Sequence, residues 1–268
     1  MSVCLRNNSF EAFQEVVKKS GSIIALTGAG ASAESGVPTF RGAGGLWRTF
    51  EATSLATPEA FRSNPARVWE FYHYRRELVR QKSPNAGHLA LAKFENIAES
   101  LGKRFTLFTQ NVDGLHLQAG SKNVVEMHGD LFKTRCTRCH EVKENRDSPI
   151  VSALAGTELL STDSNIPLEQ LPRCTKCSSL LRPHIVWFGE NLDQKDMNTI
   201  FAELERCDLL MVIGTSGIVY PAAGFASQVL ANGGQVAEFN TELSDSLYQF
   251  AFSGPCGSTL PQALDIEI

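Results

Sequence analysis

Five short apolar runs set the tightest limit on what this chain can become: SIIALT (22–27), RFTLFT (104–109), NVVEM (123–127), LLMVI (209–213) and QVAEF (235–239). Each is too short for a typical helix and too continuously hydrophobic for a strand with one wet face. Each therefore reads as a strand buried on both sides, as in a parallel sheet covered by helices. The runs lead into polar tails: Thr27-Gly28-Ala29-Gly30, Thr109-Gln110-Asn111-Val112-Asp113, His128-Gly129, Gly214-Thr215-Ser216 and Asn240-Thr241-Glu242. In open α/β sheets ligands bind outside the carboxyl ends of the strands. The five tails should converge on one crevice, and the expectation is an α/β fold built round a large polar ligand.

The chain has 268 residues, more than one average domain and fewer than two. Hydrophobic residues make up 43% and charged residues 20%, which excludes a disordered or fibrous chain. A net charge of -4 argues against holding nucleic acid by bulk electrostatics, and no apolar run approaches the ~20 residues of a membrane span. The opening MSVCLRNNSF has the features of neither a secretory signal nor a transit peptide. After it, Ser9 as a cap, Phe10, Phe13 and Val17 at helical spacing and a stop at Gly21 predict an amphipathic helix. Residues 58–101 are largely helical in pattern, while 133–181 hold loop-like Ser, Pro and Gly. Both read as insertions into the sheet domain that together form a smaller lobe.

Seven cysteines include two Cys-x-x-Cys pairs, Cys136/Cys139 and Cys174/Cys177, leaving Cys4, Cys207 and Cys256 single. Two such knuckles supply four thiolates for a closed, structural zinc site, in keeping with a reducing compartment. The 34 residues between the pairs (140–173) must then loop out. The rival is a redox pair, although neither lies in a thioredoxin-like context. The unpaired cysteines read as packed or surface thiols.

Gly28-Ala29-Gly30-Ala31-Ser32-Ala33 follows a strand as G-x-G-x-x-G/A should, with glycines that let the backbone approach a pyrophosphate. It departs from the dehydrogenase pattern, because Gly36-Val37-Pro38 breaks the helix at once and no acidic residue ends a second strand ~20 residues on. A second glycine-rich stretch, Thr39 to Trp47, either folds over a nucleotide, with Arg41 toward phosphate, or is a surface loop. His128, directly after a strand, is a candidate general base, or else a buried structural imidazole, the reading given to His116 and His184. Gln110, Asn111 and Asp113 suit a carboxamide such as nicotinamide, or an Asx turn. Tyr72 and Arg75, three apart on a helix read over 66–80, share a face that suits a carboxylate, or are ordinary solvated side chains.

Taken together, GAGASAESGVPTFRG (28–42), TQNVDGLH (109–116), HGDLFKTRCTRC (128–139), CTKC (174–177), VWFGE (186–190), GTS (214–216) and FNTE (239–242) resemble the sirtuins, NAD-dependent protein-lysine deacylases. WEFYHYRRE (69–77) and GPCGSTLP (254–261) resemble more closely the class III, mitochondrial desuccinylase and demalonylase branch.

The resemblance implies a Rossmann-type parallel-sheet lobe over about 1–50, 102–132 and 182–268. A small lobe would combine a helical module (about 51–101) and a zinc module (about 133–181), with one structural zinc ion on Cys136, Cys139, Cys174 and Cys177. It implies NAD bound by Gly28, Ala29, Gly30, Ala33, Thr39, Phe40, Arg41, Trp47, Gln110, Asn111, Val112, Asp113, Gly214, Thr215 and Ser216, with Asn240, Thr241, Glu242 and Cys256 round the adenosine. His128 and Asn111 would carry catalysis. Tyr72 and Arg75 would hold the acyl carboxylate, with Ala52 and Ala56 leaving room for a longer chain. Val186, Phe188, Gly189 and Glu190 would form a strand that pairs with an acyl-lysine protein substrate.

The implied reaction begins when nicotinamide leaves the ribose and the acyl oxygen attacks the exposed carbon. His128 then takes a ribose-hydroxyl proton, and the products are nicotinamide, free lysine and 2′-O-acyl-ADP-ribose. A monomer in the mitochondrial matrix, and also in cytosol and nucleus, is what the branch implies. Two alternatives stay open: a mono-ADP-ribosyltransferase and a non-catalytic binder of NAD or acyl-lysine.

Overall fold

The computed structural model describes residues 7–39, 45–245 and 248–268. Its main sheet has six strands, all parallel: β1 (Ser22–Thr27), β4 (Arg104–Thr109), β5 (Val124–Glu126), β9 (Leu209–Ile213), β10 (Gln235–Asn240) and β11 (Phe250–Ser253). The spatial order is β11-β10-β9-β1-β4-β5. All six residues of β1 and all five of β9 are buried, as continuous apolar runs at the middle of a sheet require. The order reverses between β1 and β9, and that switch point opens the crevice.

Helices cover both faces. On one, Phe13 of α1 (Phe10–Lys19), Leu91 and Phe94 of α6 (Ala86–Ser100) and Leu260 and Ala263 of α10 (Cys256–Leu264) meet Ile23, Leu107, Met211 and Phe239 of the sheet. On the other, Ile200 and Leu204 of α8 (Gln194–Leu204) and Phe225 and Val229 of α9 (Phe225–Ala231) meet Ile24, Phe108, Leu210 and Val236. The Ser9 hydroxyl caps α1 by accepting from Ala12 N–H at 3.1 Å.

The strand β11 was not separated from its surroundings by sequence. It has four residues and lies at the sheet edge, where it pairs with β10 and forms a lone bridge to Asn7.

The intervening segments build a second core. A hairpin of β2 (Leu46–Trp47) and β3 (Phe50–Glu51) leads into α3 (Ala52–Leu55), α4 (Pro58–Ser63) and α5 (Pro65–Arg80). Asn64 caps α5, and Trp69, Phe71 and Tyr72 are sealed against Trp187, Leu131 and Ile185. A three-stranded antiparallel sheet, β7 (Val142–Glu144), β6 (Gly129–Cys136) and β8 (Leu181–Ile185), carries the cysteines. The 34-residue interval packs back through Ile150, Leu154 and Leu171. His184, read as lying ahead of an apolar strand, sits inside β8.

Candidate active site

The glycines of the first tail pack against the tail of β9. α2 (Ala29–Ala33) lasts five residues. Gly28 N–H donates to Ile213 O at 2.9 Å and Gly30 N–H to Gly214 O at 2.8 Å, which locks the tail of β1 onto that of β9. A Cβ at Gly30 would stand 2.8 Å from Gly214 O, and one at Gly28 would stand 2.7 Å from the Thr215 side chain. Gly214 itself has φ +56 and would drive a Cβ to within 2.3 Å of Ala31 N. Side chains are excluded here first by the packing of the two loops, and the open backbone edge toward a ligand follows from it. Gln110 Nε2 and Asn240 Nδ2 then donate to Thr215, at 3.0 Å to its hydroxyl and 3.1 Å to its carbonyl, so the ends of three strands are tied together.

Beside these loops a cavity of about 780 Å³ is lined by Gly28, Ser32, Gln110, Asp113, His128 and Gly214, among others. His128 Nδ1 lies 3.0 Å from Gln110 O. A carbonyl only accepts, so Nδ1 carries the proton and Nε2 keeps its lone pair. Burial holds the imidazole below its ordinary value, against the pull of the Gln110 carbonyl, so it is neutral at pH 7. Gly129 fixes its place, with φ +86 and no room for a Cβ, which would meet His184 O at 2.0 Å. Val186 N–H donates to His128 O at 2.9 Å from the other side.

Asn111 donates from Nδ2 to Gly28 O and to Ser32 Oγ, each at 3.0 Å. Asp113 accepts from Leu115 N–H at 3.0 Å, and burial raises its pKa although the Ser32 hydroxyl and Arg75 favour its charge. His116, read as a structural imidazole, is buried and lies 3.0 Å from Thr27 Oγ1.

Tyr72 and Arg75 line the same cavity together with Ala56 and Trp187. They are not solvated helix residues, since Tyr72 is 0% exposed and Arg75 7%. Burial destabilises the Arg75 guanidinium charge, which Tyr72 and Asp113 partly restore. The strand expected over Val186–Glu190 is not formed: β8 stops at Ile185. Phe188 N–H donates to Ala56 O and Glu190 N–H to Trp187 O, each at 2.9 Å, while Gly189 takes φ +88. These bonds and the left-handed glycine close a turn where the ladder would have continued.

The four cysteines Cys136, Cys139, Cys174 and Cys177 bring their sulfurs within 4.8 Å of one another. The Sγ atoms of Cys136 and Cys177 are 3.5 Å apart, and those of Cys139 and Cys174 are 3.7 Å apart. A zinc tetrahedron with ~2.3 Å bonds has S···S edges of roughly 3.8 Å, so the set fits one ion. Backbone N–H groups of Arg138 and Cys139 donate to Cys136 Sγ and that of Lys176 to Cys174 Sγ, all at 3.4 Å, as suits thiolates. One pooled cluster answers the redox alternative, which needs separate pairs.

The description of the Sir2 family matches residues 28–221 of the chain. The chain belongs to the Sir2 family. It is 54% identical to a Daphnia pulex protein named NAD-dependent protein deacylase, over 98% of this chain and 99% of that one. It is 56% identical to the Xenopus tropicalis NAD-dependent protein deacylase sirtuin-5, mitochondrial, over 94% and 84% respectively. Among solved structures, a Sir2 homolog–NAD complex superposes with a TM-score of 0.83 at 38% identity, covering 97% of this chain and 94% of that one.

Within this Sir2 fold the residues singled out by sequence divide into three groups. Ala29, Thr39, Asn111, Val112, Thr215, Ser216, Val186, Phe188, Gly189 and Glu190 also line the cavity. Ala33, Trp47, Asn240, Thr241, Glu242 and Cys256 lie outside it: Trp47 is packed in the second core, and Cys256 is buried with its thiol donating to Glu34 Oε1 at 3.2 Å. Phe40, Arg41 and Cys4 lie outside the described residues. Sequence reasoning missed Ser32, whose signal was a hydroxyl inside a glycine motif, and Trp187, which no spacing rule distinguishes from its neighbours.

Proposed function

We propose that this chain is an NAD-dependent protein-lysine deacylase that removes succinyl, malonyl and glutaryl groups in preference to acetyl. The observation that carries the acyl choice is that Tyr72 and Arg75, both buried, line the same cavity as His128. A guanidinium and a phenol together offer a carboxylate several donors, and a desolvated cation gains most from an anionic partner. The names of the Daphnia and Xenopus relatives support the deacylase activity.

NAD would be held by the interlocked loops at Gly28–Gly30 and Gly214–Ser216 and by the polar groups of Gln110, Asn111 and Asp113. The cavity and its donors and acceptors fit such a ligand. When bound, NAD would supply an electrophilic ribose carbon for the acyl oxygen. His128 receives a proton at Nε2 from a ribose hydroxyl, because Nδ1 is already committed to Gln110 O. Asn111 holds the Gly28 carbonyl and Ser32 in place and shapes the nicotinamide end. The acyl-lysine protein would lie along Val186–Glu190, which line the cavity as a turn beyond the end of β8. Ala56 keeps the acyl channel wide, whereas Ala52 is packed in the second core away from the cavity lining, and the four cysteines would hold a structural zinc ion.

We further place the lobe boundaries at about 50, 101, 132 and 181, and the protein as a monomer in the mitochondrial matrix. Arg75→Met tests the acyl choice. The variant should lose at least about tenfold in kcat/KM on a succinyl-lysine peptide, the scale of a charged hydrogen bond, and far less on an acetyl-lysine peptide. Equal losses on both peptides would remove the carboxylate role.

A further inference from the structure

The hydroxyl of Tyr72 has an unusually defined environment. Trp187 Nε1–H donates to it at 2.9 Å. An indole nitrogen only donates, so the phenol proton cannot point at Trp187 and must turn elsewhere. Among the described residues no acceptor takes that proton, although Tyr72 is 0% exposed. Burial also keeps the phenol protonated, well above its ordinary range.

Trp187 is in turn gripped on several sides. The Arg182 guanidinium stacks on its ring at 3.4 Å, and Phe61 packs at 5.2 Å. The same guanidinium binds Glu190 through both nitrogens, at 2.6 and 2.8 Å, and donates to Ile185 O at 2.8 Å. Glu190 closes the ring by accepting Trp187 N–H at 2.9 Å. The cation is therefore neutralised by Glu190 while its face holds the indole flat, and the indole can take few orientations.

We infer that Trp187 is a positioning residue for acyl selection: by donating to Tyr72 it turns the phenol proton toward the acyl end, so the pocket favours an acyl chain that ends in an acceptor. The inference rests on the acidic-acyl reading above and names a residue that acts through Tyr72. A phenylalanine at 187 keeps the stack on Arg182 and removes the donor, leaving the phenol free to rotate.

The test uses the full chain with saturating NAD and matched succinyl- and acetyl-lysine peptides, comparing wild type, Trp187→Phe, Tyr72→Phe and the double variant. Trp187→Phe should raise KM for the succinyl peptide roughly tenfold with little change in kcat, and lower the succinyl-to-acetyl ratio of kcat/KM by about the same factor. In the Tyr72→Phe background the same substitution should change that ratio by less than about twofold. An equal effect on both peptides, or the same loss in either background, overturns the inference. A wild type without succinyl preference overturns the acidic-acyl reading itself, which is seen before any variant is made. Should Trp187→Phe melt well below wild type, Glu190→Gln loosens the grip while keeping the indole. It should lower the same ratio, and an unchanged ratio would count against the inference.

Discussion

Nε2 of His128 is available as a base only while the ring is neutral, and burial keeps its pKa below the ordinary ~6.5. Turnover should therefore be full above that value and fall only as pH drops through the lowered pKa, so the acid limb of kcat should have its midpoint below ~6.5. His128→Ala should nearly abolish turnover while NAD still binds by calorimetry; retained turnover would remove His128 from the role. His88 makes a separate prediction about stability. Its Nδ1 accepts from Asn85 N–H at 3.3 Å, and burial lowers its pKa to about 4. The folded form thus excludes a proton that the unfolded chain binds. Its contribution is complete above ~6.5 and is lost as pH falls toward about 4, at most roughly 3 kcal/mol over that window. Denaturant melts of wild type and His88→Gln at pH 7 and pH 4.5 should show the variant losing less on acidification. At this scale the sequence revealed residue types and their motif, but not burial. Tyr72 and Arg75 read equally well as solvated, because α5 carries charged residues on every side and yet is buried on most of them, so no polar face marks which side meets solvent.

At the scale of elements, the interlock of two tails decides more than either strand alone. Gly30→Ala pushes a methyl to within 2.8–2.9 Å of the Gly214 backbone, an overpacking that costs about 1–3 kcal/mol. It should raise KM for NAD and lower the melting temperature together; a change in melting alone would detach this loop from the cofactor. The zinc knuckles sit at the ends of β6 and β8, remote in sequence and adjacent in the sheet. A strong chelator, or Cys174→Ser, should lower the melting temperature markedly, with activity lost in parallel. Continuous apolar runs made five of the six main strands legible: four are buried along most of their length, while β5, expected to be buried on both faces, is a half-buried three-residue strand at the sheet edge. The exceptions are instructive. The edge strand β11 is too short to stand out, and Val186–Glu190 looks like a strand by composition yet turns because Glu190 folds back on Trp187.

For the whole molecule, two cores share one cavity. The parallel sheet supplies the loops and His128, and the second core supplies Tyr72, Arg75 and the Trp187 turn. The insertions were legible as interruptions of a strand–helix rhythm. How they fold against the sheet was not, because Arg182, Trp187 and Glu190 find their partners only in three dimensions. The central claim is that cofactor cleavage and acidic-acyl capture occur in this one cavity. The most direct measurement incubates the purified protein with NAD and matched succinyl-, malonyl- and acetyl-lysine peptides and follows peptide and nucleotide products by mass spectrometry. The account predicts faster loss of the acidic acyl groups, with nicotinamide and acyl-ADP-ribose appearing in step. Faster loss of acetyl, or ADP-ribose mass retained on the peptide, would contradict it.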